Sequence, residues 1–161
     1  MAKAEPKTNA MRILDRQKIP YATHTYPHKD GEAVDAKSVA ALVGMEAGRI
    51  FKTLVARGKS GQCYVFVIPG PAELDLKAAA AAVSEKHVEM LHVKELLPTT
   101  GYVRGGCSPV GMKKAFPTVL DRSASRWDTI LVSAGKIGVQ LELAPDALRQ
   151  AANAAFADIT L

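Results

Sequence analysis

Cysteine is nearly absent: Cys63 and Cys107 are the only two in 161 residues, and no CxxC spacing occurs. That excludes a disulfide framework and a cysteine-built zinc site. Long apolar runs are missing as well. The longest, such as 63–68 and 78–83, fall far short of the ~20 residues a membrane helix needs. Residues 1–15 carry scattered charges and no apolar h-region, so we expect no secretory signal, a cytoplasmic protein and reduced thiols. His24 and His28 stand four apart, but Pro27 forbids the helix that would align them, and His87 and His92 straddle a strand end. With no HExxH either, no metal and no other cofactor is expected. No GxSxG marks a serine nucleophile, and neither GxxxxGK[ST] nor GxGxxG marks a phosphate loop. Aromatics are 6% of the chain, thin for a base-stacking platform.

What is present is an ordinary globular mixture, 48% hydrophobic and 23% charged, in a length that suits one domain. The net charge of +5 is concentrated. Between 101 and 136 the bases Arg104, Lys113, Lys114, Arg122, Arg126 and Lys136 face only the acids Asp121 and Asp128. A polyanion partner and a plain solvated basic surface both fit that charge.

Local signals place the elements. Thr8 reads as the N-cap of a helix reaching about Lys18, ended by Pro20. Residues 21–26 read as a strand and 27–32 as a loop. Asp35 caps a helix over 36–43, with Gly44 at its stop. Residues 49–57 and 62–68 read as the strands of a hairpin around the turn 58–61. Asp75 caps an Ala-rich helix, 76–83. A short strand over 87–91 and a short helix over 93–97, halted by Pro98, come next. Residues 99–111 are irregular. Strands are expected at 117–120, 129–133 and 139–143, then a helix over 146–155 with Pro145 at its first turn, and a short strand among the last residues. Elements interleave irregularly, with hairpins and no βαβ series, so the expected fold is α+β with a mostly antiparallel or mixed, curled sheet.

Lys52 is the most informative residue. Period 2 places Ile50, Lys52, Leu54 and Ala56 on one strand face and Phe51, Thr53 and Val55 on the other. An ammonium between aliphatic neighbours either points into a pocket or snorkels to water from an edge strand. Next comes Gly101-Tyr102-Val103-Arg104-Gly105-Gly106-Cys107-Ser108-Pro109-Val110-Gly111. Such a segment is either ordinary turn chemistry or a backbone that approaches a ligand and aims N–H groups at it. Gly135-Lys136-Ile137-Gly138 matches a KH-type GxxG, but its flanks read as strands rather than helices, so a KH loop is rejected. Ser133 ends a strand just before that turn, a place for a ligand-facing hydroxyl. Cys107 reads as a thiol nucleophile or a small packed residue.

Several collinear segments resemble the YbaK/EbsC family of free-standing aminoacyl-tRNA deacylases, relatives of the editing domain inserted in bacterial prolyl-tRNA synthetases. They are Ile19-Pro20-Tyr21, His24-Thr25-Tyr26, Phe51-Lys52-Thr53-Leu54, Leu74-Asp75-Leu76-Lys77, 100–109 and 132–138. The resemblance implies a mixed, barrel-like sheet with surrounding helices, forming one editing domain over 8–161 behind a flexible N-terminus, 1–7. It implies clearance of Cys-tRNA(Pro), and more loosely Cys-tRNA(Cys). Catalysis would fall to Lys52, Gly105 and Gly106. Tyr26, Thr53, Ser133 and Arg104 would bind substrate, and Lys113, Lys114 and Lys136 would contact tRNA. Gln140, where relatives often carry Asp, and Ala134, in place of a common glycine, depart from the pattern.

The mechanism implied by the resemblance needs neither metal nor enzymic nucleophile. The substrate's own thiol attacks the aminoacyl carbonyl, tRNA leaves and a thiolactone forms. Expected partners are the acceptor end of mischarged tRNA and prolyl-tRNA synthetase, with no membrane and no DNA. Two alternatives compete: a related editor that hydrolyses Ala-tRNA(Pro) with water, and a non-catalytic tRNA- or synthetase-binding module.

Overall fold

A computed structural model describes residues 7–29 and 32–161. The expected flexible N-terminus lies outside these residues except for Lys7, whose Nζ meets Asp15 Oδ2 at 2.5 Å. Thr8 caps α1 (Asn9–Arg16) by accepting from the Met11 amide at 3.2 Å. After β1 (Ala22–Thr25), Asp35 caps α2 (Ala36–Val43) through the Ser38 amide at 2.8 Å. A 3-10 turn, Ala47–Arg49, leads into the hairpin of β2 (Phe51–Gly58) and β3 (Cys63–Pro69). Next come α3 (Leu76–Ala82), β4 (Val88–Met90) and α4 (Val93–Thr100). A long irregular stretch reaches β5 (Thr118–Asp121) and a second 3-10 turn, Arg122–Arg126. The chain closes with β6 (Ile130–Ser133), β7 (Val139–Leu143), α5 (Pro145–Ala152) and β8 (Ala154–Ala157).

The strands form two sheets, ordered β1-β7-β6 and β4-β2-β3-β5-β8. The smaller is antiparallel; the larger is mixed, because β5 runs parallel to both β3 and β8. This is the expected α+β, mixed-sheet architecture. Its curl is shared between two sheets that touch at the parallel bridge Ile50–Leu131, and the strands do not close into a barrel.

Alternation along β2 and β3 divides the interior. Phe51, Val55, Val65 and Val67 face a core shared with β6, β7 and α1, while Ala56, Phe66 and Ile68 face α3. Burial on both faces explains why β3 reads as an unbroken apolar run. A third cluster packs Val39 and Ala40 of α2 onto Tyr26, Ile50 and Leu131, covering the junction of the sheets.

Three local expectations are corrected. Arg49 ends a 3-10 turn instead of starting the strand. Pro98 does not halt α4; it lies inside the helix, which ends at Gly101 in a left-handed conformation, φ 84°. One missing N–H is tolerable there because Gly101 N donates to Leu97 O and Thr100 Oγ1 to Leu96 O, both at 2.8 Å. The final helix stops at Ala152, not Ala155, because Asn153 turns left-handed, φ 51°, and sends the chain into β8.

Asp121 ties the C-terminal segment to β5. Its buried carboxylate accepts from the amides of Ser123, at 3.2 Å, and Ile159, at 3.0 Å. Asp121→Ala strips both amides of their acceptor and should lower unfolding free energy by about 2–4 kcal/mol, measured by urea denaturation.

Candidate active site

β4 pairs with β2 only from Ala56 to Gly58, so it does not reach the Lys52 end of the strand. At that end Ile50 bridges to the small sheet. The junction of the two sheets, α2 and the glycine-rich loop encloses a cavity of about 490 Å³. From the large sheet it receives Phe51, Lys52, Thr53 and Leu54; from the small sheet, Ser133 and Gln140. Tyr26, Val34, Asp35 and Val39 form the α2 side, and Arg104, Gly105 and Cys107 the loop side.

Lys52 is half-buried and has no ion-pair partner among the described residues. Of its two sequence readings, the pocket is the one realised. Desolvation holds its ammonium below the ordinary value of 10.5, and the charge of Glu73 partly offsets this. The Ser133 hydroxyl accepts from Gly135 N at 3.2 Å. Directly across the β6–β7 ladder stands Gln140. Gln140 Oε1 and Thr53 Oγ1 are buried without a hydrogen-bond partner among the described residues, and both line the cavity. Buried polar atoms are rarely left so, which suits a cavity that a polar ligand completes. Tyr26 is 5% exposed and packs its ring into the α2 cluster.

The glycine loop divides its tasks. Gly105 lines the cavity with φ 85°, and a Cβ there would stand 2.7 Å from the Ala33 Cβ. Its amide has no partner among the described residues. Gly106 does not line the cavity. Its N–H donates to Val103 O at 3.0 Å, and its backbone packs against Lys136 and Ile137. The expectation that both amides face a substrate is therefore corrected for Gly106, whose donor is already engaged in a turn.

The thiol and hydroxyls of the cavity lack an activating partner. Burial pushes the Cys107 thiol up to about 12, against a smaller lowering by the hydrogen bond with Thr100. No histidine lines the cavity beside Ser133 or Thr53. The Asp35 carboxylate is engaged by the Ser38 amide and hydroxyl. No three His, Cys, Asp or Glu side chains among the described residues group around a point where an ion could sit.

The basic stretch does not form one surface with the cavity. Arg104 lines it. Lys113 and Lys114 line a separate depression with Ser60, Cys63 and Phe116. Lys136 lines two further grooves beyond the glycine loop, and Arg122 pairs with Asp158 at 3.5 Å. Sequence reasoning set Gln140 aside and missed Asp35 and the apolar wall of Val34 and Val39. The signal for Gln140 was available: in a hairpin around 134–138, it stands opposite Ser133.

The profile of the aminoacyl-tRNA editing domain matches residues 30–151. The chain belongs to that family. This editing domain is 52% identical over 158 residues, 98% of its length and 96% of the relative's, to EbsC of Enterococcus faecalis (strain ATCC 700802 / V583). That relative carries the provisional name Cys-tRNA(Pro)/Cys-tRNA(Cys) deacylase. The chain is also 31% identical over 114 residues, 71% of its length and 72% of the relative's, to the uncharacterized protein YwhH of Bacillus subtilis (strain 168). A solved structure, described provisionally as a trans-editing enzyme for prolyl tRNA synthetase, is 26% identical and superposes with TM-score 0.82 over 95% of each chain. No helix among the described residues is long and apolar enough to cross a membrane.

Two outcomes follow from the desolvated lysine and the tight loop. The fold disfavours the Lys52 ammonium, so Lys52→Met should raise the melting temperature at pH 7 by roughly 1–3 °C. Its advantage should shrink as pH rises through the lowered folded value and past 10.5, above which the amine is neutral in both folded and unfolded chains. Gly105→Ala meets Ala33 and an unfavourable φ, and should lower stability by about 1–3 kcal/mol in the same denaturation assay.

Proposed function

We propose that this editing domain acts in trans on mischarged Cys-tRNA(Pro), and more loosely on Cys-tRNA(Cys), by substrate-thiol-assisted cleavage of the aminoacyl ester. What carries the reading is a cavity that offers a cation and polar groups but no activated nucleophile of its own. The names borne by EbsC of Enterococcus faecalis and by the trans-editing structure support the same substrate class.

The chemistry balances without a cofactor. The cysteinyl thiolate attacks its own ester carbonyl, forming a C–S bond. The carbonyl carbon's bond to the ribose oxygen breaks, and that oxygen leaves with a proton. The product is a four-membered thiolactone that water then opens. Lys52 orients the aminoacyl end and favours thiolate over thiol through its charge. The Gly105 amide donates to the developing oxyanion. Tyr26, Thr53 and Ser133 shape the pocket and bond the substrate, and Arg104 meets the terminal phosphates. Lys113, Lys114 and Lys136 contribute attraction to tRNA at longer range. Alignment of thiol and carbonyl supplies up to ~7–11 kcal/mol in the best intramolecular cases, and ring strain reduces that here.

The selectivity has a physical reason. A hydrophobic pocket separates residues as similar as cysteine and proline by only ~1–3 kcal/mol, so a proline synthetase mischarges. A sieve that asks for a thiol spares Pro-tRNA(Pro) outright. The protein works in the cytoplasm, and association with prolyl-tRNA synthetase supplies the tRNA identity that the pocket does not read.

A panel of tRNA(Pro) charged with Cys, Ser, Ala or S-methylcysteine tests this. Cysteine should be released fastest, S-methylcysteine should survive, and Lys52→Ala should slow release at least 100-fold, to about the uncatalysed level. Preferred release of alanine, or rapid loss of S-methylcysteine, would sink thiol assistance. Binding of tRNA with no release from any ester would leave only a binding module. The pH–rate profile should be a bell: it rises as the thiol ionises and falls as Lys52 loses its proton below 10.5.

A further inference from the structure

Lys52 and Ser133 reach one cavity from two different sheets, so their separation depends on how the sheets are joined. Among the described residues, the backbones of the two sheets pair at one rung, the bridge Ile50–Leu131. Ile50 lies two residues before Lys52, and Leu131 two before Ser133. Each shares its partner's strand face. Slippage at that rung would displace both sides of the cavity.

A side-chain clamp stands beside it. Arg49, the residue before Ile50, crosses to the small sheet with all three faces of its fork occupied. Its Nε donates to Thr129 O at 3.2 Å, and one terminal nitrogen donates to Thr129 Oγ1 at 2.5 Å and Glu142 Oε2 at 3.3 Å. The other terminal nitrogen reaches Met45 Sδ and Glu46 Oε2, each at 3.5 Å. Thr129 Oγ1 in turn donates to Glu142 Oε2 at 2.6 Å, and His24 Nε2 lies 2.6 Å from Glu142 Oε1.

The Trp127 ring covers the guanidinium at 5.6 Å. The side chains of Arg49, Glu142 and His24 are only 19%, 20% and 24% exposed, so solvent screens them weakly. Glu142 lies two residues from Gln140 on the same face of β7, and His24 stands opposite Gln140 on β1. Arg49, Thr129, Glu142 and His24 do not line the cavity.

We infer that Arg49, acting through Thr129 and Glu142, is a positioning residue for deacylation: it sets the distance at which Ser133 and Gln140 face Lys52. A lysine cannot reproduce the role, because a point charge cannot meet a carbonyl, a hydroxyl and a carboxylate in fixed directions. The activity arm of the test rests on the deacylase reading; the structural arm does not.

The experiment compares the unaltered protein with Arg49→Lys, Glu142→Gln and their double variant, well below the melting temperature. Thr129→Val replaces any single variant that fails to fold. Two quantities are read: single-turnover release from Cys-tRNA(Pro), and the titration midpoint of Lys52, followed by NMR of the labelled lysine side chain and assigned with Lys52→Arg. The rate constant should fall roughly 10- to 100-fold with tRNA affinity within about twofold, as expected for a misplaced group that still binds. The Lys52 midpoint should move toward 10.5 as water enters the loosened junction. The double variant should be no worse than the poorer single one, because both break the same clamp.

A Lys52 midpoint that stays put in both single variants overturns the inference, whatever the rate does. So does a moved midpoint with an unchanged rate. If the unaltered protein releases none of the charged esters, the deacylase reading has failed, and the Lys52 midpoint alone decides for or against the clamp.

Discussion

A half-buried ammonium at the seam between two sheets is the constraint around which this molecule is organised. Lys52 has a large sheet behind it, α2 beside it and the small sheet opposite, and no ion pair among the described residues to compensate its lost water. Such a site is costly for the fold. It persists because the surrounding strands are held independently: β3 is buried on both faces, and α2 seals the seam through Val39, Ala40, Ile50 and Leu131. The charge can then be offered to a ligand instead of being neutralised from within.

The polar groups of the cavity follow the same logic. Among the described residues, Thr53 and Gln140 keep unpartnered oxygens at its wall and Gly105 keeps an unpartnered amide, whereas the neighbouring Gly106 amide and Asp35 carboxylate are satisfied by the chain itself. Cys107 touches the cavity, but its thiol stays protonated at neutral pH.

Charge acts at two ranges. Arg104 lies at the cavity, while Lys113 and Lys114 sit at a separate depression. A run of bases in sequence becomes a distributed field in the fold.

Much was legible in the chain before its structure. The caps Thr8, Asp35 and Asp75, the hairpin turn after β2 and the period-2 faces of that strand are local physics, encoded within a few residues, and the fold realises them. So is the position of Lys52, since alternation alone puts it among aliphatic side chains. Other features depended on contacts between distant residues. Whether Lys52 met water or a pocket was decided by β6 and β7 of the small sheet, the first of which begins nearly eighty residues later at Ile130. The approach of Ala33 to Gly105 and the meeting of Lys52 with Ser133 and Gln140 in one cavity were likewise set by neighbours brought in by the chain's path. Local sequence determines which conformations a segment prefers; only tertiary packing decides what a side chain faces, because burial and partnership are properties of the assembled neighbourhood.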